Sequence, residues 1–142
     1  MSVENKSIVT NFIEEIWHQQ QFDSIEDYIA PNFIDHSLPP TFSANKEGLI
    51  RWIVGTGNSF EHQTIIEEMV HEDNKIMLKI TMQLKHIGVW RGLKPTHLEI
   101  STVGYRYYKL ANGKITEHWG LLDGTAIENQ LKKSQHGCKI QL

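Results

Sequence analysis

Cysteine, one-signed charge and long apolar runs are all scarce in this chain, and each shortage removes a class of protein. A single cysteine, Cys138, stands among 142 residues, so there is neither an internal disulfide nor a cysteine metal cluster. It lies in a polar tail after the last periodic segment and reads as an idle surface thiol. Eight histidines are present, yet there is no His-Glu-x-x-His, no His-x-His and no cysteine pair, and the spacing signals for zinc are missing. Lysine and arginine are scattered, the formal net charge is -3 and the pI is near 6.2. No basic stripe marks a nucleic-acid partner. No apolar run is long enough to span a bilayer, and Met1-Ser2-Val3-Glu4-Asn5-Lys6 lacks the charged-then-apolar order of a signal peptide. The expectation is a cytoplasmic protein with no membrane partner. The glycines of Gly55-x-Gly57 follow a helix instead of opening one after a strand, so no phosphate-cradling loop is expected, and neither a cofactor nor a metal.

What is present is strong patterning. From Ile76, every even position through Leu84 is apolar and the next is His86. Side chains alternate faces along a strand, so Ile76, Leu78, Ile80, Met82, Leu84, His86, Gly88 and Trp90 share a face, opposite Lys75, Lys79, Thr81, Gln83 and Lys85. Gly88 leaves space and Trp90 supplies a wall, so this face reads as pocket lining as readily as solid core.

The length fits one domain, residues 1–142. Ile8, Val9, Phe12, Ile13, Ile16 and Trp17 recur at helical spacing within Glu4–His18. Asp23-Ser24 caps a short second helix that Pro31 closes, and Asn32 to Pro40 is extended up to the Pro39-Pro40 break. Asn45 caps a third helix, which the Gly55-Thr56-Gly57 run should end. Four strands follow, Gln63–His71, Lys75–Trp90, Leu98–Leu110 and Lys114–Leu122, with turns at Asp73-Asn74 and Asn112-Gly113. Thr125 caps a short final helix, and residues 132–142 form a loosely ordered tail. Helices followed by an antiparallel meander make an α+β fold, with helices covering one sheet face and enclosing a pocket if the sheet curls.

Three segments bring polar groups to that region: Phe33-Ile34-Asp35-His36, Lys85-His86-Ile87-Gly88, and Gly113-Lys114-Ile115 leading through Glu117, His118 and Trp119 to Asp123. In these segments, together with Gly92, Pro95-Thr96 and Gln130-Leu131, the chain resembles the SnoaL-like polyketide cyclases of the nuclear transport factor two superfamily, from the first helix to about Leu131. The resemblance implies a cone-shaped α+β barrel, N-terminal helices packed on a curved antiparallel sheet, and a deep pocket. It also implies Asp123 as general acid/base, with His36 and His86 as pocket histidines. Trp90, Trp119, Met82 and Gly88 are the expected substrate-binding residues.

The expected activity is cofactor-free acid/base chemistry on a hydrophobic carbonyl compound, as in an aldol-type cyclisation. An apolar pocket would raise the pKa of Asp123, and a histidine would polarise the carbonyl. Two alternatives stand beside it. One is a binding protein of the same fold that holds a hydrophobic small molecule without changing it. The other is an epoxide hydrolase-like Asp-Arg-Asp arrangement from Asp35, Arg106 and Asp123. Local sequence also supports plainer roles. Asp123 reads as a helix N-cap, Glu117 as half of an ion pair with Arg106, and His118, of opposite parity to Trp119 and Asp123 on an unbroken strand, as exposed or at a subunit contact. A homodimer is expected, because the outer sheet face mixes Met77, Ile87 and Val89 with charges.

Overall fold

The computed structural model describes residues 2–140, with side chains described for residues 4–133. Helix α1 (Ser2–Phe12) runs without a break into a π-helical segment, Ile13–His18, and a 3-10 turn follows at Phe22–Asp27. The wider π turn presents Ile13, Ile16 and Trp17 together to the interior, where all three are buried. Strand β1 (Ile29–Asp35), helix α2 (Lys46–Ser59), strands β2 (Phe60–Glu72), β3 (Lys75–His86), β4 (Glu99–Ala111) and β5 (Lys114–Leu122), and helix α3 (Gly124–Ile140) complete the chain.

The strands form one sheet in the order β1-β5-β4-β3-β2. The four long strands are the antiparallel meander that the turns predict. The extended piece before the proline break adds a fifth strand, parallel to β5, which makes the sheet mixed instead of wholly antiparallel. The outer strands β1 and β2 are not bonded to each other. The architecture is therefore an open, cone-like α+β fold and not a closed barrel.

The even-position row of β3 is the backbone of the core: Ile76, Leu78, Ile80, Met82, Leu84 and His86 are all buried. Val9, Phe12, Ile16, Leu49, Ile53, Ile127 and Leu131 cover this face from the helices. Several boundaries differ from expectation, each with a local cause. Asn45 does cap α2, its side chain accepting from the Gly48 amide at 3.2 Å, but the helix continues past Gly55 and Gly57 to Ser59. Those glycines cost helix propensity without a φ change that would end it. Pro31 lies within β1 at an exposed position of that edge strand, where its missing N–H breaks no ladder. Helix α3 is capped by Asp123 instead of Thr125, the Asp123 Oδ1 accepting from the Ala126 amide at 2.9 Å, and its backbone runs on to Ile140. The side chains of most of the expected tail, Cys138 included, lie outside the described residues. Among those described, no helix is long and apolar enough to cross a membrane.

Two irregularities redirect side chains. In β5, Lys109 faces Glu117 while Leu110 faces Ile115, so Thr116 is an extra, bulged residue whose Oγ1 donates to the Lys109 carbonyl at 3.1 Å. A bulge reverses the alternation beyond it. Strand β3 stops at His86, and Trp90 and Leu93 then pair in a tight hairpin with Arg91 and Gly92 both at positive φ, 48° and 75°. This two-residue turn returns Trp90 to the inner side although no strand carries it there.

Candidate active site

A cavity of about 620 Å³ opens between the sheet and the helices. Its walls are largely apolar: Trp17 from the π segment, Trp52 from α2, Phe60 at the head of β2, Ile80, Met82 and Leu84 from β3, and Trp90 from the hairpin. Asp35, Ser37, His118 and Arg106 reach it from the ends of β1 and β5 and the middle of β4, and Arg51 and Thr56 from α2 and Arg91 from the hairpin complete its polar lining.

Asp35 and His118 are neighbours in the parallel β1–β5 register, with both side chains turned inward. Phe33 and Asp35 occupy the buried face of β1, and Ile34 and His36 the outer one. The Thr116 bulge turns His118 inward on the same side as Ile115. The Asp35 Oδ2 lies 3.0 Å from the His118 Nδ1, and the Asp35 Oδ1 accepts from the Ser37 amide at 2.9 Å and the Ser37 hydroxyl at 2.6 Å. Burial works to raise the Asp35 pKa, but the hydrogen bond and charge of His118 and the two Ser37 donors outweigh it, holding the carboxyl below its ordinary 3.8. Burial lowers the His118 pKa below its ordinary 6.5, more than the neighbouring carboxylate restores, and the Arg106 charge adds to the lowering. At neutral pH the pair is therefore a carboxylate holding a neutral imidazole through Nδ1–H, which leaves the Nε2 lone pair uncommitted. The His118 Nε2 has no hydrogen-bond partner. Gly120 keeps the ring uncrowded, since a Cβ there would lie 3.0 Å from His118 Cε1 and 3.2 Å from Nε2.

Arg106, opposite Gly120 in the register, is 7 % exposed. Its guanidinium lies over the Trp17 ring, 4.4 Å from the centroid, and its Nη2 meets the Met82 sulfur at 3.7 Å. Tyr108, one inward position along β4, packs against His118 with ring centroids 4.8 Å apart. Its hydroxyl is buried without a partner.

The residues singled out in the sequence are distributed differently. Met82 and Trp90 line the cavity. His86 does face inward and is fully buried, but it sits behind Phe60, with ring centroids 5.4 Å apart, and does not line the cavity. Its Nδ1 accepts from the Thr96 amide at 3.1 Å, which pins the end of the hairpin loop. Gly88 likewise serves packing, because a Cβ there would collide with the Asn58 carbonyl at the end of α2.

His36 and Trp119 belong to the outer sheet face, stacked on each other with centroids 4.3 Å apart. Glu117 joins them, 3.0 Å from His36 Nε2 and 4.0 Å from Lys109. Glu117 is thus an ion-pair residue, with Lys109 in the place expected for Arg106. Asp123 is exposed at the start of α3 and borders a shallow surface depression away from Asp35 and His118. The expectation that His118 is exposed fails for the reason that displaces Trp119: both assumed an unbroken strand. Among the described residues, no group of three His, Cys, Asp or Glu side chains is placed to hold a metal ion.

An open five-stranded sheet wrapped by helices around an apolar cavity makes this a small cone-like α+β protein. Within that class the chain belongs to the SnoaL-like polyketide cyclase family, whose model matches residues 7–131. Solved structures agree on the fold. A candidate polyketide cyclase from Acidithiobacillus ferrooxidans superposes with a TM-score of 0.81 at 20% identity, covering 92% of this chain and 95% of that one. A SnoaL-like polyketide cyclase from Agrobacterium tumefaciens gives 0.73 at 18% identity over 89% and 97%. TsrD from Streptomyces laurentii gives 0.79 at 15% identity over 91% and 95%. No curated protein matches the chain in sequence.

Proposed function

We propose that this protein is a cofactor-free acid/base enzyme that removes a proton from the carbon next to a carbonyl in a hydrophobic substrate, as the first step of an aldol-type ring closure. The observation that carries the reading is the Asp35–His118 pair in the wall of an apolar cavity. Neutral His118 takes the substrate proton on Nε2, and Asp35 holds the ring in the correct tautomer and stabilises the imidazolium that forms. The proton is then available to the new alkoxide. Negative charge developing on the substrate oxygen meets a favourable field, since the ionised groups of the wall are one carboxylate and the guanidiniums of Arg51, Arg91 and Arg106. Trp90, Met82 and Trp17 supply apolar surface that excludes water. In this reading Asp123 is a helix cap.

The test is hydrogen–deuterium exchange at the acidic methylene of 4-phenyl-2-butanone, followed by NMR in heavy water. The protein accelerates exchange, and His118→Gln reduces the acceleration by ~10²–10⁴-fold. Equal exchange by the two proteins refutes the assignment.

We also propose that the outer sheet face is covered by a second copy. Met77, Val103 and Tyr105 are 44%, 47% and 48% exposed there, and Tyr107 stacks on Trp119 with centroids 5.3 Å apart. Such a continuous apolar stripe is more than a solvated face carries. Light scattering at micromolar concentration gives twice 16.4 kDa if this is correct, and Tyr105→Lys shifts the mass toward the monomer.

A further inference from the structure

The Arg106 guanidinium lacks a counter-ion. Among the described residues, no carboxylate lies within 4 Å of it, and Asp35, the one acid of the cavity wall, is committed to His118 and Ser37. Its Nη1 has no hydrogen-bond partner, Nη2 has only the Met82 thioether, a weak acceptor, and the neighbouring Tyr108 hydroxyl, whose pKa burial raises and the guanidinium works to lower, is itself left without a partner. A guanidinium stays charged in proteins, and an unpaired buried charge is costly. The Trp17 ring covers one face of the group, which leaves its hydrogen-bonding edge as the means of recognition.

From this we infer that the cavity takes a hydrophobic acid, and that Arg106 binds the ligand's carboxylate. The inference rests on the proposed acid/base reading and narrows its substrate class to a carbonyl compound that bears a carboxylate. A planar fork of two N–H donors matches the two oxygens of a carboxylate. The surrounding walls, Trp17, Ile80, Met82 and Trp90, suit the apolar body of such a molecule. A phosphate ester, with a second charge and more oxygens to satisfy, would need several donors converging at one point. Arg51 and Arg91, unlike Arg106, have oxygen partners of their own, the Thr41 carbonyl at 3.5 Å and the Glu128 carboxylate at 3.4 Å.

The test compares two probes of the same shape, 2-naphthoate and 2-naphthamide, by titration calorimetry at neutral pH. The naphthoate binds about 10- to 100-fold more tightly than the amide, the range expected for charge-assisted hydrogen bonds. Arg106→Gln removes the preference while leaving amide binding in place. The comparison on the unaltered protein decides the question even if the variant does not fold. Equal affinity for the two probes, or no binding of either, overturns the inference, as does a preference that survives in Arg106→Gln. His118→Gln separates the two readings: it removes the proposed base but retains the naphthoate preference. A base that fails in the exchange assay and a carboxylate site that fails in calorimetry are therefore distinguishable.

Discussion

Replacing Asp35 by asparagine perturbs the site without changing its shape, and the hydrogen bonds of the carboxylate set the size of the effect. The carboxylate accepts three: two from Ser37, at 2.9 and 2.6 Å on Oδ1, and one from the His118 Nδ1, at 3.0 Å on Oδ2. Asparagine has one acceptor oxygen and two N–H donors. With its oxygen on the two Ser37 donors, its amide faces His118, and Nδ1 must change from donor to acceptor. The ring proton then moves to Nε2, and the lone pair that serves as base is lost. The expected fall in rate is ~10²–10⁴-fold from losing a general base; the equivalent swap in a Ser-His-Asp triad costs ~10⁴. The effect on stability is smaller. Hydrogen bonds to a charged group contribute about 1.5–3 kcal/mol, and the relief from burying a charge offsets part of that. Nitrogen-resolved NMR of the imidazole reports the tautomer directly, and the 4-phenyl-2-butanone exchange assay reports the rate. An Asp35→Asn protein that keeps the Nδ1–H tautomer but loses the rate, or that changes tautomer with its rate intact, would refute the coupling between the two residues.

Asp123→Ala should cost about 1 kcal/mol in denaturant unfolding through the lost cap on Ala126, Asp123→Asn should cost little, and neither should alter the exchange rate. The pair also has a signature in pH. His118 has a depressed pKa in the folded protein, so as pH falls below its ordinary 6.5 the unfolded chain takes up the proton first and stability declines. Asp35 contributes a further decline below 3.8, since its stabilisation is lost as pH falls through its depressed folded pKa. His118→Gln should flatten the first decline in chemical denaturation and weaken the second as well, since the hydrogen bond and charge of His118 are the largest effects that hold the Asp35 pKa down. At Gly88, alanine should destabilise by about 1–3 kcal/mol by overpacking against Asn58, which thermal denaturation will show.

Much of this fold is legible in the sequence because its physical signals are strong. The β3 row from Ile76 to Leu84 is apolar on one side and, Met77 apart, charged or polar on the other, and Asn112-Gly113 fixes the hairpin into β5. The site is less legible. The alternation rule holds only on unbroken strands, and the Thr116 bulge places Ile115 and His118 on one face although they are an odd number of residues apart. Nothing in Lys114-Ile115-Thr116-Glu117 announces that bulge. In β1, Phe33 and Ile34 are adjacent apolar residues, so either of the two faces reads as buried. The structure chooses Phe33, and Asp35 goes in with it while His36 goes out. Arg106 carries a signal that can be read in retrospect. It sits in an otherwise uncharged, inward-facing even-numbered row of β4 with Tyr108 and Leu110, where a charge has no reason to be unless something pairs with it. Asp123 shows the opposite case, since its local context already described a cap and the structure keeps it as one.

The claim that neutral His118 is the base is tested most directly by the pH dependence of 4-phenyl-2-butanone exchange. The account predicts a rate that is level from about pH 8 down to about pH 6.5 and then falls as a single group of depressed histidine pKa is protonated. A rate that already falls through the ordinary histidine range, at or above pH 6.5, or an acid limb that survives unchanged in the residual rate of His118→Gln, would contradict it.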